Sequence, residues 1–117
     1  MKALGEKGEG LAVGHLKKKG YLILKRNYRS PVGEIDIIAD DHGTVVFVEV
    51  KTRTPSSFGL PEQAVNRKKQ EKIKKTALHY LSSVRNKELP ARFDIVSILV
   101  AGPSGTEIEH IEDAFIG

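Results

Sequence analysis

Asp36, Glu49 and Lys51, with Glu34 two positions before the first, have the types and spacing that phosphate chemistry uses. They fall in two apolar stretches, Gly33 to Asp40 and Thr44 to Arg53, separated by Asp41, His42 and Gly43, a composition that predicts an antiparallel hairpin. A two-residue loop at His42 and Gly43 and a four-residue loop from Asp41 to Thr44 give one register, with Asp36 opposite Glu49. Directly opposed residues have Cβ atoms about 5 Å apart, and residues two apart share a face, which places Glu34, Asp36, Glu49 and Lys51 together. The neighbours Ile35, Ile37, Ile38, Val46, Phe47, Val48 and Val50 predict buried strands. Two carboxylates facing each other there repel, and burial raises their pKa values, unless a cation lies between them. A divalent ion, Mg2+ or Mn2+, resolves the conflict. Asp36, Glu49 and the Val50 carbonyl would be its ligands, and Glu9 on a preceding helix a further acidic contributor. The competing account is a Glu-x-Lys ion pair on a wet strand, worth about 0–1 kcal/mol.

The hairpin needs a frame. Leu11, Ala12, His15 and Leu16 recur at helical spacing, which predicts a first helix over Gly8 to Lys19, stopped by Gly20. Tyr21 to Arg29 reads as a strand. After the hairpin, Thr54 to Pro61 reads as a loop, Pro61 suits a first helical position, and Asn66 is the expected N-cap of a longer helix. Gln70, Ile73, Ala77, Leu81 and Val84 form its expected core stripe. Arg92 to Val100 is a densely apolar strand, and Gly102 to Gly105 turns the chain into a short strand near Glu107 to Glu112. The order is αβββαβ plus a short C-terminal strand. A helix joining two of its strands favours a parallel right-handed crossover, so an α/β fold with a mixed central sheet flanked by helices is expected. At 117 residues this is one domain, 1–117.

The chain carries a formal net charge of +4, with six basic residues from Lys17 to Arg29 and six from Arg67 to Lys75. Two basic clusters suit a phosphate backbone, although solvated helix faces account for the same residues. Arg53, Lys68, Lys69 and Lys72 are the candidate phosphate contacts. Gln70 could reach a phosphate or a water, and a simple buried amide hydrogen bond is the alternative. With no cysteine, thiolate metal sites and thiol nucleophiles are excluded. No apolar run approaches the roughly 20 residues of a bilayer span, and the N-terminus lacks a signal-type apolar block, so a cytoplasmic protein without membrane association is expected. His15, His42, His79 and His110 lack metal-ligand spacing. Gly5, Gly8 and Gly10 read as helix-entry glycines, and Asp94 as an ion-pair partner of Arg92 or a nearby lysine, with catalysis the alternative.

The strings GEIDIIADDHGTVVFVEVKTRT, FGLPEQAV with Arg67 to Gln70, RFDIV and IEHIEDAF resemble the YraN family of small bacterial endonuclease-like proteins, from Glu9 to Phe115. More distantly, the arrangement is similar to archaeal Holliday-junction resolvases within the PD-(D/E)xK, restriction-endonuclease-like superfamily. The resemblance implies a restriction-endonuclease-like core and a metal-dependent nuclease acting on DNA, at branches or junctions, with pairing of two copies natural for a junction cutter. It also implies Asp36 and Glu49 as metal ligands, Lys51 as the catalytic lysine and Glu9 as the acidic residue of the first helix. Ile35 stands where the superfamily name implies proline. A non-catalytic nucleic-acid-binding protein with a vestigial site is the second class the sequence admits, and an RNA-directed enzyme or binder the third.

Overall fold

The computed structural model describes residues 2–54, 65–84, 89–100 and 105–115, with side chains from Lys7 onward. The expected helical start at Pro61, residues 55–61 of the expected loop and residues 102–104 of the turn lie outside them. Two helices, α1 (Lys2–Lys18) and α2 (Arg67–Ser83), flank five strands: β1 (Leu22–Ser30), β2 (Gly33–Asp41), β3 (Thr44–Arg53), β4 (Ala91–Val100) and β5 (Thr106–Phe115). The sheet is mixed and runs in chain order, β1-β2-β3-β4-β5. Only β3 and β4 are parallel, and α2 lies in the segment between them. No helix among the described residues is long and apolar enough to cross a membrane.

The hairpin closes through His42 and Gly43, both at positive φ (50° and 100°), the condition for a tight two-residue turn that follows strand twist. Asp41 pairs with Thr44 and Ile37 with Val48. Alternation along β3 then sends Val45 and Phe47 to the core beneath α2, and Val46, Val48 and Val50 to the core beneath α1. The α2 side is aromatic, with Phe47 against Phe93 and Tyr80, and Phe93 against Phe115.

Three expectations are corrected. The first helix begins before Gly8, and Gly8 sits inside it, where a Cβ would collide with the Thr52 side chain; a small residue here lets α1 approach β3. The stripe of α2 also takes in Thr76 and Tyr80 beside Ile73 and Ala77, while Leu81 and Val84, the latter an extended C-cap beyond the helix, pack partly buried against the same core as expected. Thr76 tolerates full burial because its hydroxyl donates to the Lys72 carbonyl (2.8 Å). The last strand is ten residues rather than short, because β5 follows β4 from Thr106 opposite Val100 to Phe115 opposite Phe93.

Candidate active site

β2 and β3 part company where the charged residues begin. The register ends at Ile37 opposite Val48, and beyond it the Val50 amide donates to Asp36 Oδ2 (2.8 Å). On the other edge of β2, Asn27 adopts positive φ (51°), and strict alternation fails at this point. Ile35 and Ile38 both pack beneath α2, whereas Ile37 packs beneath α1. This irregularity explains why Glu34 does not join the other acids as expected. Glu34 is exposed and pairs with Arg29 opposite it on β1 (3.3 Å).

Asp36 and Glu49 do come near enough for one to act on the other. Glu49 is 11% exposed, and burial and the neighbouring Asp36 carboxyl push its pKa up to about 8, against the pull of Lys69 and Lys51. Lys51 lies on the same face, its pKa lowered by burial and by contact with Lys69, with Glu49 opposing the shift.

Lys69 is the residue sequence reasoning placed too far out. Its ammonium lies 3.5 Å from Glu49 Oε2 and touches Lys51, so it belongs to the cluster rather than to an outer phosphate-binding face. Asn66 fixes it there: the Asn66 side chain accepts from the Lys69 amide (2.9 Å), capping α2 above the parted strands. The available signal was this cap, which sets which residue opens the helix. Gln70 takes its structural alternative, donating from Nε2 to the Val65 carbonyl (2.9 Å). Lys68 and Lys72 are exposed on α2, and Arg53 continues the β3 row beyond Lys51. Val50 meets Asp36 through its amide.

Glu9 stands apart from the pair. One of its oxygens is buried without a hydrogen-bond partner and lies 3.7 Å from Arg26 Nε. Among the described residues, the group of three His, Asp or Glu side chains whose ligand atoms all lie within 4.8 Å is instead Asp94, His110 and Glu112. Those three are already neutralised by a cation. Arg92 donates to Asp94 (3.1 Å), Asp41 (2.9 Å), Tyr21 (2.6 Å) and Glu112 (3.3 Å), and Asp94 also accepts from the Asp113 amide (3.0 Å). Lys19 can only donate, so His110 Nδ1 accepts from it (2.9 Å), and Nε2 carries the proton donated to Asp94 (2.8 Å). That assembly is an ion-pair network on the α1 side of the sheet, with Asp94 paired to Arg92 as the sequence suggested.

The hairpin pair has the donor chemistry a divalent ion would use: Asp36 and Glu49 offer two oxygen donors whose repulsion a cation would relieve, while Glu9, beside Arg26, lies outside the pair. Oxygen-only donors suit magnesium or manganese.

The family model described as uncharacterised protein family UPF0102 matches residues 8–98. A UPF0102 protein of Thermodesulfovibrio yellowstonii is 51% identical over 112 residues, covering 96% of this chain and 95% of that protein. One from Geotalea uraniireducens is 50% identical over 114 residues (97% and 90%), and one from Persephonella marina 47% over 111 residues (95% and 91%).

Proposed function

Since the chain belongs to the uncharacterised protein family UPF0102, and its matched region spans the charged hairpin, we propose that it is a metal-dependent phosphodiesterase acting on DNA, built on a restriction-endonuclease-like core. The observation that carries this reading is the Asp36–Glu49 carboxyl pair, held in contact at the open end of a hairpin beside two lysines. A structural salt bridge has no need of two acids side by side. A site prepared for a cation does.

Asp36 and Glu49 would hold the ion, and when bound the ion supplies Lewis acidity toward water and the scissile phosphate. The rest is done by this chain. The Val50 amide fixes the Asp36 carboxylate in one orientation. Lys51, with a lowered pKa, holds the attacking water or offsets charge that builds on the phosphate oxygens, and Lys69 adds a second cation on the same side. Exposed Lys68 and Lys72 hold flanking phosphates, a sequence-independent contact that makes binding strongly salt-dependent.

One observation favours a DNA-binding protein without turnover: Lys69 already pairs with Glu49 and the Val50 amide with Asp36, so both acids have partners with no ion. Calorimetric titration with Mg2+ and Mn2+, alongside cleavage of linear, flap and junction DNA by wild type and Asp36→Asn, separates the two. Hydrolysis requires metal binding and cleavage by wild type, both lost in the variant. Metal-independent DNA binding with no cleavage of any substrate establishes the other reading.

A further inference from the structure

The β3 row that carries Glu49, Lys51 and Arg53 runs on across the sheet. Lys51 pairs with Ser97 and Ser97 with Glu109; Arg53 pairs with Leu99 and Leu99 with Glu107. Arg53, Ser97, Leu99, Glu107 and Glu109 line an open recess of about 170 Å³. It lies at the carboxyl ends of the parallel strands, the end of an α/β sheet where ligands bind. Its lining among the described residues comes from strands β3, β4 and β5.

The lining selects against phosphate. Two carboxylates outnumber one guanidinium, in a chain whose other clusters beside the site are basic. Ser97 adds a polar wall: the residue is 2% exposed and lines the recess. The size is informative as well, because a cavity of about 150 Å³ admits benzene. A recess of this volume, open on one side, takes a six-membered ring that offers an amine donor to a carboxylate and acceptors to a guanidinium and a hydroxyl.

We propose that this recess receives the unpaired pyrimidine base of a nucleotide next to the phosphate held at Lys51, with cytosine preferred over thymine. Cytosine presents N4 amine hydrogens to Glu107 or Glu109 and its O2 and N3 acceptors to Arg53 and Ser97, whereas thymine has an acceptor where the amine is needed. The edge that makes these contacts is the one occupied in a base pair, so the base must stand outside the duplex, at a flap, bulge or junction. Along β3, Lys51 and Arg53 are separated by about 7 Å, the rise of two strand residues, which matches the reach from a backbone phosphate to the adjoining base. The inference rests on the hydrolase reading only for which phosphate lies at Lys51; recognition of the base stands on the recess.

Fluorescence anisotropy in EDTA tests it without cleavage, using duplexes that carry one bulged cytosine, one bulged thymine, one bulged abasic site or no bulge. Wild type is expected to bind the cytosine bulge on the order of tenfold tighter than the abasic one, with thymine between them. In a Glu107→Gln, Glu109→Gln double variant and in Ser97→Ala that ratio falls toward one. Equal affinity of wild type for the three bulges, or an unchanged ratio in both variants, overturns the proposal. A cytosine preference in a protein that cleaves nothing with any metal keeps the recess and removes the hydrolase; cleavage with no base preference does the reverse.

Discussion

The sheet carries two buried charge clusters, one on each face, and they solve the same problem in opposite ways. Around Arg92 each acid has a donor of its own: the fully buried Asp94 accepts from Arg92, His110 and the Asp113 amide, and its pKa is lowered even though burial pushes the other way. Around Glu49 two acids lie side by side, and its pKa rises to about 8 in spite of Lys69 and Lys51. In one cluster the pairing outweighs burial, and in the other burial and a neighbouring acid outweigh the pairing.

Removing Arg92 makes the largest break in that contrast. Arg92→Ala leaves the Asp94 carboxylate buried without its guanidinium and is expected to cost about 3–5 kcal/mol in urea unfolding, whereas Glu49→Gln leaves unfolding little changed or strengthened. Equal losses in the two variants would mean that both clusters are structural. Next in size, Lys51→Ala should lower metal-dependent cleavage by on the order of 10²–10³ while its circular dichroism and melting curve stay those of wild type. If cleavage persists at full rate, Lys51 is not the group that acts on the phosphate. Metal sharpens the difference further. At a concentration near 100 times the dissociation constant, Mn2+ should stabilise wild type by about 2.7 kcal/mol, and Asp36→Asn by much less; an equal shift in both would place the ion elsewhere.

Acid and base should pull the two clusters apart. The Asp94 pKa is depressed, so its stabilisation is fully present above the ordinary aspartate range and is lost as pH falls through the lower folded value. Glu49 runs the other way. Its folded value of about 8 exceeds the ordinary 4.5, so the folded state holds the extra proton and stability in EDTA declines as pH climbs between those values. Glu49→Gln should flatten the alkaline limb alone, and Asp94→Asn the acid limb alone, in unfolding free energies measured across pH. The smallest expected effect is at the surface: Lys72→Ala should weaken DNA binding without altering sequence preference and reduce the salt slope by roughly one.

The hairpin was legible in the sequence because its geometry is local. Two residues in a turn fix the count as far as Ile37 opposite Val48, and Asp36 and Glu49, expected as the next opposed pair, lie just past the end of that register. Lys69 was not legible in the same way, since its approach to Glu49 depends on where a helix lands after a crossover, and nothing in the lysine-rich stretch distinguishes it from Lys68. Glu34 misled because alternation is a rule for regular strands, and the strand ceases to be regular at the site itself. The Arg92 network was visible only as the pair Arg92 and Asp94. Tyr21, Asp41 and the β5 pair His110 and Glu112 come from three other places in the chain, and no periodicity links those places. Gly8 resembled an entry residue, but its meaning lies in the Thr52 side chain across from it.

The placement of β5 at the edge of the sheet has a consequence during synthesis. His110 and the Asp113 amide reach Asp94 only once residues near 113 have left the ribosome, about twenty residues after Asp94 itself. Until then the nascent chain holds a carboxylate in an apolar sheet with Arg92 as its principal donor, next to an open β4 edge able to pair with another chain. The hairpin is complete some sixty residues earlier. Translation therefore delivers the charged pair first and the lock on the sheet last, and a pause between the two is the interval in which aggregation competes with folding.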